Sequence, residues 1–116
     1  MAHLDAIRAK RPLLEDFVRR LAKARVWGTA NHASYAETWS KLIGLPKEVP
    51  LAWFTRANVR PLPIDAAVVA AEQRTIDLYV RNGLIPKRLE AAEILDPSFN
   101  ATVVSGSKEA ALLPGR

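Results

Sequence analysis

Residues 63–89, PIDAAVVAAEQRTIDLYVRNGLIPKRL, decide the fold because they mark one complete helix at both of its ends. Asp65 can cap the N-terminus by accepting hydrogen bonds from backbone N–H groups that have no partner within the helix. Gly83 stands where a helix end favours a left-handed residue. Pro86 prevents the helix from continuing. The pattern predicts a helix over residues 66–82.

The apolar residues of this segment indicate which side of the helix is buried. They recur at helical spacing and form one stripe, composed of Val69, Ile76, Tyr79 and Val80. Ile64 precedes the cap and can pack against Val69 in the first turn. After the helix ends, Leu84 and Ile85 are expected to fold back onto the stripe.

The same signals predict further helices along the chain, at residues 2–10, 12–27, 33–43, 46–57 and 89–94. Gly28 is expected to end the second helix, and Asn31 or His32 to cap the third. Two apolar faces are predicted to be buried, formed by Leu14, Phe17, Val18, Leu21 and Ala24 and by Tyr35, Trp39, Leu42 and Ile43. Residues 101–104 are the only candidate strand and are too short to matter. The predicted fold class is all-α, a small bundle of four to five helices.

Composition bounds the domain organisation and the partners. The 116 residues suffice for one modest core, which we expect at residues 1–104, followed by a flexible tail at 105–116. The net charge of +5 is spread along the chain and mostly has acidic neighbours, so only weak, salt-sensitive attachment to nucleic acid is expected, without specificity. The sequence has no apolar run long enough for membrane insertion and no cysteine.

No pattern in the sequence is typical of an enzyme. His3 and His32 have no carboxylate or second histidine at metal-ligand spacing. The serines lack the glycine-flanked turn that exposes a nucleophile, and no glycine-rich loop precedes a helix. We therefore predict no catalytic residue, no cofactor and no metal. The three tryptophans, Trp27, Trp39 and Trp53, are expected in the core rather than at a ligand.

Arg56 and Arg60 are the best candidates for contact with an anionic ligand. A guanidinium group can hold a sulfonate or carboxylate with two parallel hydrogen bonds. These arginines flank Asn58 and Val59, which are expected to be extended, so that the two side chains could converge. The alternative, two solvated basic residues on a loop, remains open.

Several segments in order resemble a known family: LDAIRAKRPLLEDFVRRLAKARVW at 4–27, WFTRA at 53–57, DLYVRNGLIPKRL at 77–89 and LDPSFN at 95–100. The chain is similar to the C-terminal part of periplasmic substrate-binding proteins of the aliphatic sulfonate, taurine and nitrate ABC-transporter family. The resemblance implies the helical part of a type II binding protein, packed on one of two α/β lobes with the ligand in the cleft between lobes. It also implies that the partners are the remainder of the lobe or an ABC permease, and that the location is periplasmic.

Two departures from the family shape the functional prediction. The N-terminus has charged residues where a secretory signal needs an apolar core, so the chain as written is expected to stay cytoplasmic. The strands of both lobes, and most residues that would hold the anion, are expected outside this sequence. The leading prediction is therefore a C-terminal fragment or truncated homologue of such a binding protein. The alternatives are a stand-alone helical interaction module, possible as a homo-oligomer, and a basic nucleic-acid-binding protein.

Overall fold

A computed structural model describes residues 2–57 and 59–111, and all regular elements in these two ranges are helical. This confirms the predicted all-α class. The α-helices are α1 Leu4–Ala9, α2 Arg11–Ala30, α3 His32–Ile43, α4 Glu48–Ala57, α5 Ala66–Arg81, α6 Ala91–Ile94 and α7 Asn100–Ala111, with one 3₁₀ turn at Pro97–Phe99. Asn58, the first residue of the predicted extended stretch, lies outside the described residues.

The chain divides into two compact units with bounds that differ from the predicted domain 1–104. The first unit comprises Met1–Pro61 and Thr102–Arg116, and the second comprises Leu62–Ala101. The first therefore contains α1 to α4 with most of α7, and the second contains α5, α6 and the 3₁₀ turn.

In the first unit, α2 runs past Gly28 to Ala30, so the predicted end of this helix was wrong. A Cβ atom at residue 28 would lie 2.9 Å from Cδ1 of Tyr35, closer than side-chain carbons pack. The glycine thus makes room for an aromatic ring of α3 instead of ending a helix. Asn31 is the residue between α2 and α3, but its amide donates to the Trp27 carbonyl at 2.9 Å and does not cap α3 with its side chain.

The hairpin of α3 and α4 follows the predicted pattern at its turn. Gly44 ends α3 in the left-handed conformation, with φ 68°. Phe54 of α4 is buried and packs against two aromatic rings of α3. The centroid of its ring lies 4.4 Å from the Tyr35 centroid and 5.4 Å from the Trp39 centroid. These aromatic contacts hold the two helices of the hairpin together.

The C-terminal segment is more ordered than predicted. Residues 105–111 are helical as part of α7, so the expectation of a flexible tail was wrong there; residues 112–116 lie outside the described range. The candidate strand at 101–104 also lies in α7. The physical reason is a close approach to α2, where a Cβ atom at Gly106 would lie 2.2 Å from the Arg19 carbonyl oxygen. Glu109 adds an ion pair to Arg19 at 2.9 Å.

The second unit confirms both predicted ends of its main helix. The Asp65 carboxylate accepts from the Val68 N–H at 2.9 Å. Beyond the last turn, Gly83 has φ 66°, and N–H groups of Gly83 and Leu84 donate to the carbonyls of Val80 and Tyr79 at 3.0 and 2.9 Å. This is the Schellman arrangement. Leu84 itself is 68% exposed, so its predicted return to the apolar stripe was wrong.

Among the described residues, four of the six buried apolar residues are alanines, whereas many large apolar residues are exposed. The buried set is Ala22, Ala36, Phe54, Ile76, Ala91 and Ala110. On the faces predicted to be buried, Phe17 is 60% exposed and Leu42 is 76% exposed, so both assignments were wrong for these residues. Trp53, expected in the core, is 49% exposed. Where helices approach closely at glycine or alanine, the space between them has no room for these larger side chains, which therefore lie at the surface.

Replacing Gly106 with alanine tests the close contact between α7 and α2. Within a helix this change normally stabilises by about 1 kcal/mol. Here the new methyl group would meet a backbone oxygen at 2.2 Å, so we expect destabilisation by about 2 kcal/mol in urea unfolding followed by circular dichroism. Gly44→Ala is the control: it has open space but positive φ, and should cost about 1 kcal/mol. A stabilising Gly106→Ala would show that the two backbones are not in contact.

Candidate functional site

The two arginines predicted to contact an anion are both exposed. Arg56 lies in the last turn of α4, and no described carboxylate pairs with it. Arg60 follows the helix in a non-helical stretch and makes an interaction of its own. The depression beside Arg56 does not include Arg60 among its lining residues. Convergence of the two guanidinium groups on one ligand stays a prediction.

The depression beside Arg56 is one face of a single helix. It has a volume of about 530 Å³ and is lined by Val49, Ala52, Trp53, Arg56 and Ala57, all from α4. A ligand site normally surrounds most of its ligand with walls from several elements. This surface offers an apolar strip with one cation at its end, but no second wall. By itself it can provide one side of a site.

A second depression, of about 580 Å³, lies on α2 and is lined by Arg19, Arg20, Lys23, Ala24 and Trp27. Carboxylates neutralise much of its positive charge: Asp16 pairs with Arg19 at 2.6 Å and with Arg20 at 2.7 Å. Glu109 of α7 also pairs with Arg19, at 2.9 Å. Hydrogen bonds from Arg19 and then Arg20 hold the pKa of Asp16 below its ordinary value, so the carboxylate stays charged. An anion would compete with these internal partners.

A narrow cleft in the first unit is too small for a substrate. It lies between α2, α3 and α4, next to Gly28, His32, Tyr35 and Phe54, and its volume is about 10 Å³. That is roughly the space of a single water molecule. The space next to His32 is therefore too small to hold a small-molecule ligand.

A polar cluster in the second unit, centred on Gln73 and Asp77, was not predicted from the sequence. The Gln73 amide donates to Asp77 Oδ1 at 3.0 Å and to the Leu89 carbonyl at 3.1 Å, and its oxygen accepts from the Ala91 N–H at 2.8 Å. Arg88 Nε donates to the same Asp77 oxygen at 2.7 Å. The sequence spacing of four residues places Gln73 and Asp77 on one face of the helix. It does not show which backbone groups of the later segment form hydrogen bonds with them.

Within the described ranges, no group of three or more histidine, cysteine, aspartate or glutamate side chains could hold a metal ion. In those ranges, none of the helices is both long enough and apolar enough to cross a bilayer.

In comparisons with known proteins, no family model matches this sequence, and no curated protein or solved structure is significantly similar to it. No comparison supports the resemblance to binding proteins, so a function based on it is a proposal.

Acid should weaken the second unit through Asp77. Hydrogen bonds from Gln73 and then Arg88 lower the pKa of this carboxyl from its usual 3.8. A lowered folded-state pKa gives stability that is present above the unfolded value and is lost as pH falls through the folded value. We expect a constant Tm from about pH 7 to 5 and a decline below about pH 4, measured by circular dichroism.

Asp77→Asn identifies the share of this acid sensitivity that comes from the cluster. The variant should begin with a lower Tm at pH 7 and show a smaller decline in acid. Asp16 and Glu37, whose pKa values are also lowered by basic neighbours, would account for the decline that remains. An unchanged acid decline in Asp77→Asn would contradict the role of this carboxylate.

Proposed function

We propose that this chain forms the helical C-terminal part of an ABC-transporter substrate-binding protein for small organic anions of the sulfonate, taurine or nitrate type. The observation that carries the proposal is the exposure of large apolar side chains on helices whose sequence order and end signals resemble that family. Such a chain acts in transport together with a permease, in the periplasm. It performs no catalysis.

The exposed apolar row of α2 supports this proposal. Leu13, Phe17 and Leu21 are separated by four residues each, so they lie along one side of the helix, and all three are exposed. Helices of an α/β lobe use such rows to pack against the sheet. A row of this kind is costly in water and is covered in a complete protein. The additional layer proposed here would cover it.

The incomplete depression on α4 supports the same proposal. Arg56 has the chemistry for a sulfonate or carboxylate but stands on a convex helix, where water surrounds a bound anion on most sides. In two-lobe binding proteins the ligand lies between lobes, which supply donors from both sides. Arg56 and Arg60 would then contribute at the edge of a site whose other wall lies elsewhere in the protein.

A second candidate is a stand-alone interaction module, and the aromatic surface of the hairpin favours it. The rings of Trp39 and Trp53 stack with centroids 6.2 Å apart and planes 5° from parallel, while both remain exposed. Leu42 and Val49 are exposed on the same pair of helices. Tryptophan and arginine dominate the energetic centres of protein interfaces. Self-association through this face would make the chain a homo-oligomer.

Calorimetry with short anions tests the leading proposal. The chain alone presents one wall of a site, so we expect taurine, alkanesulfonates and nitrate to bind with dissociation constants of about 1 mM or weaker, near 4 kcal/mol. Isothermal titration calorimetry is the measurement. A micromolar constant that disappears in Arg56→Ala or Arg60→Ala would show that this chain carries a complete site and would overturn the proposal.

Sedimentation velocity separates the two candidates. The leading proposal predicts no discrete oligomer, because the exposed rows are shaped for other parts of a lobe. The interaction module predicts a defined dimer or higher oligomer that Trp53→Lys dissociates. Thr55→Lys is the matched control, since Thr55 is also exposed on α4 but has no ring contact. A discrete oligomer sensitive only to Trp53→Lys would favour the module.

A further inference from the structure

The segment 85–90, which leads from the end of α5 into α6, is held by side chains of α5. We propose that this strap is a conformational device: Gln73 and Asp77 hold it closed, and it opens as a unit while α5 remains folded. The inference rests on contacts within the second unit and does not depend on the transport proposal.

Gln73 forms the first attachment by pairing with the backbone on both sides of Glu90. Its amide nitrogen lies 3.1 Å from the Leu89 carbonyl, and its oxygen lies 2.8 Å from the Ala91 nitrogen. Glu90 precedes α6 but provides no side-chain cap. The Gln73 oxygen supplies that missing acceptor to the first residue of α6. One side chain therefore fixes the end of the strap and starts the next helix.

Asp77 forms the second attachment, one turn further along α5. Its Oδ1 atom accepts from Arg88 Nε at 2.7 Å and from Gln73 Nε2 at 3.0 Å. Arg88 also pairs with Glu90 through Nη1. The two attachments meet at one carboxylate oxygen, so Arg88 and the Gln73 amide belong to a single hydrogen-bond network. This coupling makes the strap respond as a unit.

Apolar burial is only one part of what holds the strap. Ile85 is partly buried, whereas Leu89 is 44% exposed. The attachments of the strap are polar and lie at the surface, where ion pairs are screened by salt. Opening the strap therefore requires that these polar contacts break and that Ile85 leaves its partly buried position.

The helix beneath the strap has supports of its own. The Asp65 cap holds its first turn, and the bonds of Gly83 and Leu84 to Val80 and Tyr79 close its last turn. None of these bonds involves residues 85–90, so α5 can stay folded while the strap leaves. Opening would release the N–H of Ala91, a residue that is fully buried in the closed state.

Amide hydrogen exchange by NMR on the full chain tests this device. We expect Gln73→Leu to accelerate exchange of the Ala91 amide by about tenfold or more, since it removes bonds of roughly fivefold effect each. The amide of Ile76, within α5, should keep its rate within about twofold. Arg74→Leu is the matched control: the neighbouring exposed residue on α5 receives the same new side chain without touching the strap.

Salt provides an independent arm with the wild-type chain and Arg88→Gln. Raising salt to about 1 M shortens the screening length to about 3 Å and should accelerate Ala91 exchange in the wild type. Arg88→Gln should exchange faster at low salt and lose most of the salt response. Unchanged Ala91 exchange in Gln73→Leu, or equal acceleration at Ile76, would overturn the proposal. So would a Gln73→Leu chain that no longer folds.

Discussion

The second unit depends on carboxamide side chains that pair with backbone where no helix provides a partner. Asn100 accepts from the Ile64 N–H at 2.8 Å and donates to the Ile64 carbonyl at 2.9 Å, which joins the entrance of the unit to its exit. Gln73 does the same for Leu89 and Ala91. Backbone polar groups need partners when they leave water, and a carboxamide supplies a donor and an acceptor at peptide-like spacing. Two such pairs allow a short helical unit to fix segments that have little apolar surface to bury.

The first unit depends on a different constraint, the close approach of other groups to helix backbones at glycine. Gly28 admits the Tyr35 ring, and Gly106 admits the Arg19 carbonyl. Small residues allow neighbouring elements to pack closely, but they bury little apolar area because their side chains are small or absent. Phe54 is buried in this unit, whereas Phe17, Leu42 and Trp53 are exposed. Exposed apolar side chains of this size are suited to contact further protein.

The electrostatics lead to the same view of the site. The net charge of +5 does not produce a strong anion site on α2, because Asp16 and Glu109 occupy its arginines. Arg56 on α4 has no such carboxylate partner among the described residues, but it stands on a surface with one wall. Arg56, whose guanidinium group suits an anion, is therefore not surrounded by walls from several elements. A binding role requires the second surface that the proposed function supplies.

The sequence by itself determined the helix class and most helix ends, because caps and left-handed glycines act through neighbours in the chain. Asp65, Gly44 and Gly83 are examples. It also identified Arg56 as a candidate for anion contact, from its chemistry alone. Only the tertiary structure decided whether a glycine ends a helix or admits another element, as Gly28 shows. It alone decided which apolar faces are buried and which backbone groups Gln73 holds, since both depend on residues distant in sequence and on the space between helices.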